Sequence, residues 1–170
     1  YTTGWMNGDI KMAALADTDD TDVAGSELVT NGTFDTDVSG WTDGNTEGTI
    51  TWNASGYMDL ARNSGSGGNI ALQDVTTVAG ETYVVTFDIV AISNGLTARL
   101  GAVISPDTYT TTGTKTFTAL ASNATETLGF NLANSGTATA TIDNISVRLA
   151  DPDRSVNGNG LAVHGSITKA

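Results

Sequence analysis

Thr82-Tyr-Val-Val-Thr-Phe-Asp-Ile-Val-Ala-Ile92 is the stretch on which the fold is decided. Its side chains alternate with a period of two: Tyr83, Val85, Phe87 and Ile89 share one side, and Val84, Thr86, Asp88 and Val90 the other. That period belongs to a β-strand, and the β-branched and aromatic content suits a pleated surface. The same alternation recurs outward from it. Leu96–Ile104 sets Leu96, Ala98, Leu100, Ala102 and Ile104 against Thr97, Arg99, Gly101 and Val103. Thr125–Leu132 turns Leu128, Phe130 and Leu132 inward and Thr127, Gly129 and Asn131 outward. Asn69–Val75 opposes Ile70 and Leu72, read as core, to Ala71, Gln73 and Val75, read as outward. Further short runs lie at Glu27–Thr30, Trp41, Thr49–Asn53, Tyr57–Ala61, Thr114–Ala119 and Thr137–Leu149. Between them stand turn formers such as Ser55-Gly56, Asn63–Gly68, Ala79-Gly80, Asn94-Gly95, Ser105-Pro106-Asp107 and Asn134–Gly136. Short strands at this spacing, with no helical stretch between them, predict an all-β fold, an antiparallel sandwich or jelly roll. Trp41, Phe34, Tyr83, Phe87, Phe117 and Phe130 are its expected aromatic core.

The chain has 170 residues, with 20 Gly, 2 Pro and 29 Thr, a composition short of helix formers. It divides into an N-terminal arm over 1–25, a body over 26–150 and a C-terminal arm over 151–170 that leads onward, as though cut from a longer polypeptide. No apolar run approaches the roughly 18–20 residues that span a bilayer. Seven Lys and Arg against 19 Asp and Glu give a net charge of −12. A surface so acidic repels phosphate backbones and anionic headgroups, so neither nucleic acid nor membrane is an expected partner. With no Cys and only His164, disulfides, thiolate metal sites and multi-histidine sites are excluded. The acidic run Asp17–Asp22 fails as an EF-hand, since Asp22 stands where the loop needs Gly and Leu28 where it needs Glu. It reads as a solvated linker. No Gly-x-Ser-x-Gly element accompanies His164, and Gly65–Gly68 lacks the Lys and helix of a phosphate loop. The acids cluster in turns rather than as a pair across a cleft, so no enzyme activity is expected.

The outward faces set Gln73, Asp88, Arg99 and Asn131 among small Ala, Gly and Thr residues. Small neighbours leave a shallow groove in which amide, carboxylate and guanidinium groups stand. Hydroxyl-rich ligands are held by planar polar groups of this kind together with an apolar plate. Trp52, Tyr57 and Tyr109 are the candidate plates. Ordinary solvated positions on a two-sided sheet would show the same pattern.

Leu28-Val-Thr-Asn-Gly-Thr-Phe-Asp35, followed by Ser39-Gly-Trp41, resembles the opening of the CenC-type carbohydrate-binding modules of families 4, 9, 16 and 22. Ala71–Phe87 resembles their middle stretch, and Thr141-Ile-Asp-Asn-Ile-Ser-Val147 their closing strand. The resemblance implies a jelly roll of two antiparallel sheets that binds polysaccharide without catalysis, at the outward residues above and at Arg62. It also implies a structural calcium where the opening segment meets the closing strand, with Asp143, Asp35 and carbonyls near Asn31 and Thr33 as ligands. Asp35 stands where the family usually has Glu. Tyr1–Ile10 and Asp153–Lys169 resemble segments of tailed-phage virion proteins in which such a module precedes a laminin-G-like domain. That second likeness implies a tail-fibre or appendage module, extracellular or on the virion surface. The alternative it raises is a structural spacer or decoration module that forms a homo-oligomer such as a trimer.

Overall fold

A computed structural model describes residues 23–44, 48–63, 70–132 and 136–151. Most of both arms, the acidic run, the Gly65–Gly68 turn, most of the Asn134–Gly136 turn and His164 lie outside the described residues. The described residues contain eleven strands and no helix. They are β1 (Val23–Ala24), β2 (Thr42–Asp43), β3 (Gly48–Asn53), β4 (Tyr57–Arg62), β5 (Ala71–Thr76) and β6 (Thr82–Ile92), then β7 (Leu96–Leu100), β8 (Val103–Ile104), β9 (Gly113–Leu120), β10 (Thr125–Leu132) and β11 (Ala138–Ala150).

Two antiparallel sheets form the sandwich. One runs β3-β4-β11-β6-β9, with β1 added against the end of β11; the other runs β2-β5-β10-β7-β8. Neighbours in these sheets are often far apart in sequence, as in a jelly roll, so the body closes only when both halves of the chain are present. Tyr83, Val85, Phe87 and Ile89 of β6 are buried, as the alternation requires, and meet Leu96, Ala98 and Leu100 of β7 and Leu128, Phe130 and Leu132 of β10 in one core. An aromatic chain runs through it. Phe34 packs on Trp41 with ring centroids 5.9 Å apart, Trp41 on Phe130 at 6.0 Å, Phe130 on Phe87 at 5.0 Å, and Phe87 edge-on to Tyr109 at 5.5 Å. Tilted and edge-to-face pairs at these separations add to plain burial. Trp41 also donates its indole N–H to the Asn31 carbonyl at 3.2 Å, which ties the opening loop to the core.

Three expectations are corrected. Glu27–Thr30 is not a strand. The Glu27 carboxylate accepts from the Leu28 and Val29 N–H groups and, across the molecule, from Ser146 Oγ at 2.5 Å and Val147 N at 2.8 Å. Beside the one backbone bond from Leu28 N to the Val147 carbonyl at 3.1 Å, a side chain there does what the rest of a ladder would do. The run Leu96–Ile104 is broken at Gly101, whose φ of 57° opens a turn between β7 and β8. Ala102 and Ile104 are therefore exposed rather than core. β5 has the opposite phase to the one expected: Ala71, Gln73 and Val75 face the core, and Leu72, Asp74 and Thr76 face outward.

Candidate functional site

The seven residues expected to bind a ligand do not converge. Gln73 lies on the inner side of β5, where its amide oxygen accepts from Thr30 N at 2.7 Å. Its amide nitrogen donates to the carbonyls of Thr30 at 2.8 Å and Gly40 at 3.1 Å. One buried amide thus satisfies three backbone groups of the opening loop, which is a structural task. Arg62 is likewise buried, on the inner side of β4, and its Nη2 donates to Asn131 Oδ1 at 2.7 Å. The fold therefore brings Arg62 and Asn131 together and spends them on each other.

Asp88 stands on the outer side of the other sheet. It accepts from Thr114 Oγ1 at 2.6 Å and Asn144 Nδ2 at 2.8 Å. Trp52 and Tyr57 belong to the β3–β4 hairpin, on opposite sides of it, because Trp52 pairs with inward Met58 while Tyr57 is one position on. Trp52 is 40% exposed, and its indole N–H donates to the Phe34 carbonyl at 2.7 Å. Tyr109 is committed to Phe87 on one side and lies under the Lys115 ammonium on the other. Desolvation in that setting pushes its phenol above the usual 10.0.

Arg99 lies on the outer face of the second sheet, and the register shows what surrounds it. One row crosses all five strands: Thr42 pairs with Leu72, Leu72 with Gly129, Gly129 with Arg99, and Arg99 with Ile104. Gly129 leaves the middle of that row without a side chain, so Leu72 and Arg99 flank a low floor. In the next row Thr127 stands opposite Asp74 and donates to its Oδ1 at 2.6 Å. Beside them is a depression of about 260 Å³ lined by Gly40, Thr42, Leu72, Gln73, Asp74 and Thr127. Thr42, Leu72 and Asp74 were not expected from the sequence, because the reversed phase of β5 hid two of them. No outward residue described on this face is aromatic.

A second polar cluster lies where the opening loop meets β11. A register shift between Asp143 and Ser146 holds Asn144 at φ 50°, and Ile145 N donates to the Gly32 carbonyl at 3.0 Å. Asp143 Oδ1 is buried there with no hydrogen-bond partner. Its carboxyl is raised above 3.8, first by desolvation and further by the charges of Asp88 and Asp35, against a lowering bond from Asn144. Thr33 Oγ1 donates to Asp35 Oδ2 at 3.3 Å. Asn31 is already engaged: its amide serves Asp37 and Ser39, and its carbonyl serves Trp41. No three acidic, imidazole or thiol side chains converge as a metal site among the described residues.

No protein-family profile matches the chain, and no curated protein matches it in sequence. Solved structures do match in fold. One, described as "CBM4 structure and function", has a TM-score of 0.53 at 16% identity, over 71% of this chain and 99% of that one. The CBM22-1 xylan-binding domain of Paenibacillus barcinonensis Xyn10C has a TM-score of 0.50 at 11% identity, over 76% and 98%. An arabinose-bound α-L-arabinofuranosidase, MgGH51, matches at 0.52 and 14% over 79% of this chain, which spans 27% of that enzyme. At these identities the likeness shows the jelly-roll fold.

Proposed function

We propose that the chain is a non-catalytic module that binds a polysaccharide reversibly on the outer face of the second sheet. The observation that carries this is the row Thr42–Leu72–Gly129–Arg99–Ile104, floored by a glycine and continuous with the depression beside Asp74 and Thr127. Hydroxyl, carboxylate and guanidinium groups on a shallow floor can exchange hydrogen bonds with sugar hydroxyls along an extended chain. Two of the three structures named above are carbohydrate-binding modules by description, which supports a binding reading. Each absent stacking plate forgoes about 0.5–1.5 kcal/mol. Affinity is therefore expected near the millimolar range, about −4 kcal/mol, and useful through repetition.

The module would act outside the cell. The phage appendage setting rests on the likeness of the two arms alone. A calcium ion at the β11 corner would engage Asp143 and Asp35, with Thr33 beside them and the remaining oxygens from backbone and water. The orphaned Asp143 Oδ1 is the feature that suits it.

Titration calorimetry against soluble polysaccharides tests the sugar reading. Arg99→Ala and Asp74→Ala are each expected to weaken binding about tenfold while leaving the melting temperature within a few degrees. Binding that survives both substitutions, or no binding to any polysaccharide at millimolar sites, overturns it.

A further inference from the structure

Besides the two-residue β1 at the end of β11, the sandwich has four outer strands, and one of them is unlike the rest. β2 and β8 have two residues each, and β3 has six. β9 has eight, Gly113-Thr-Lys-Thr-Phe-Thr-Ala-Leu120, and pairs with β6 in unbroken register from Thr82↔Leu120 to Ile89↔Gly113. It contains no proline and no bulge. Along its other side the described residues supply no strand, so alternate N–H and C=O groups of β9 face outward without a ladder. Long, unbulged edges of this kind pair with further strands unless charge, proline or a bulge prevents it. The single charge of β9, Lys115, is folded back onto Thr111 Oγ1 at 3.1 Å and the Thr112 carbonyl at 3.0 Å. It guards the first residues of the strand and leaves Thr116–Leu120 unguarded.

We propose that β9 pairs antiparallel with β9 of a second copy of this chain, about a two-fold axis at Phe117, joining the two β3-β4-β11-β6-β9 sheets edge to edge. The strand is complementary to itself in that register. Thr116 comes opposite Thr118, Lys115 opposite Ala119, and Thr114 opposite Leu120, so no like charges meet. Threonine pairs on one face of an antiparallel ladder are favourable, and an isologous contact of this kind closes as a dimer. The same register gives Leu120, 57% exposed in the single chain, a neighbour to pack on. Both copies carry a net charge of −12, so the contact is opposed at long range and is expected to tighten as salt screens that repulsion.

The chain has no cysteine, which makes cross-linking unambiguous. Thr116→Cys and Thr118→Cys change exposed side chains and leave the ladder to β6 in place. Under mild oxidation an equal mixture of the two variants is expected to form a mixed disulfide dimer several-fold faster than either variant alone. Sedimentation of the unmodified chain at rising concentration should show a monomer–dimer equilibrium, weakened about tenfold by Thr118→Lys. A chain that stays monomeric at millimolar concentration overturns the proposal. So does a mixture that cross-links no faster than the separate variants.

Discussion

Gln73 shows how much one side chain can decide. Its amide closes the 30–40 loop through three backbone bonds, so Gln73→Ala is expected to lower stability by about 1–3 kcal/mol, read as an earlier urea midpoint. A loss of sugar binding with an unchanged midpoint would return Gln73 to the proposed ligand face. Asp143 works in the other direction. Its raised carboxyl means that the folded protein binds this proton more tightly than the unfolded chain does, so the ionised form costs stability at neutral pH and the cost fades as pH falls toward 3.8. In chelator at pH 7, Asp143→Asn should therefore melt higher than the parent. Added calcium should raise the parent's melting temperature and leave the variant's unchanged. An equal shift in both would place the ion elsewhere.

Among the elements, the β7–β8 turn and the start of β10 form one unit. Glu126 is buried, and its Oε1 accepts from Ser122 N at 2.8 Å, Asn123 N at 3.0 Å and Asn123 Nδ2 at 3.2 Å, while Oε2 sits against Gly101. The bond from Ser122 N, foremost, holds this carboxyl below the usual 4.5 against desolvation. Its contribution is complete above pH 4.5 and is lost as pH falls through the lower folded value. Glu126→Gln should flatten the acid limb of the stability curve, as followed by near-ultraviolet circular dichroism. Gly101→Ala should destabilise at all pH values, because a Cβ would strike the Glu126 carboxylate and the φ of 57° disfavours it. Most strands were legible in the sequence: β6 and β10 have the bounds that alternation assigns them. The turn at Gly101 was not, because the apolar residues run on in phase through Ala102 and Ile104. In β5 the apolar Leu72 drew the phase the wrong way, although Asp74 and Thr76 sit in its register. The proposed ligand face was half legible for that reason. Arg99, Thr127 and Gly129 follow from their own strands, but the partners of Gln73 and Arg62 lie 33–69 residues away, beyond any local pattern.

At the scale of the whole molecule, the net charge of −12 bears differently on the proposed sugar face and on the β9 edge. A neutral glycan exchanges hydrogen bonds without releasing ions, so its affinity should change less than about twofold between 50 and 500 mM salt. A steep salt dependence in calorimetry would point to a charged ligand instead. The path of the chain through the body carries a further meaning. Val23 pairs with Ala150 and Ala24 with Leu149, and Glu27 grips Ser146 and Val147 beside them. Entry and exit thus share one corner, a few ångströms apart. A host polypeptide interrupted at a surface loop could accept this unit as a cassette without spreading its own flanks. Joining the two strands by a short tether and cutting at the Asn53–Gly56 bend should yield a permuted chain that folds the same way.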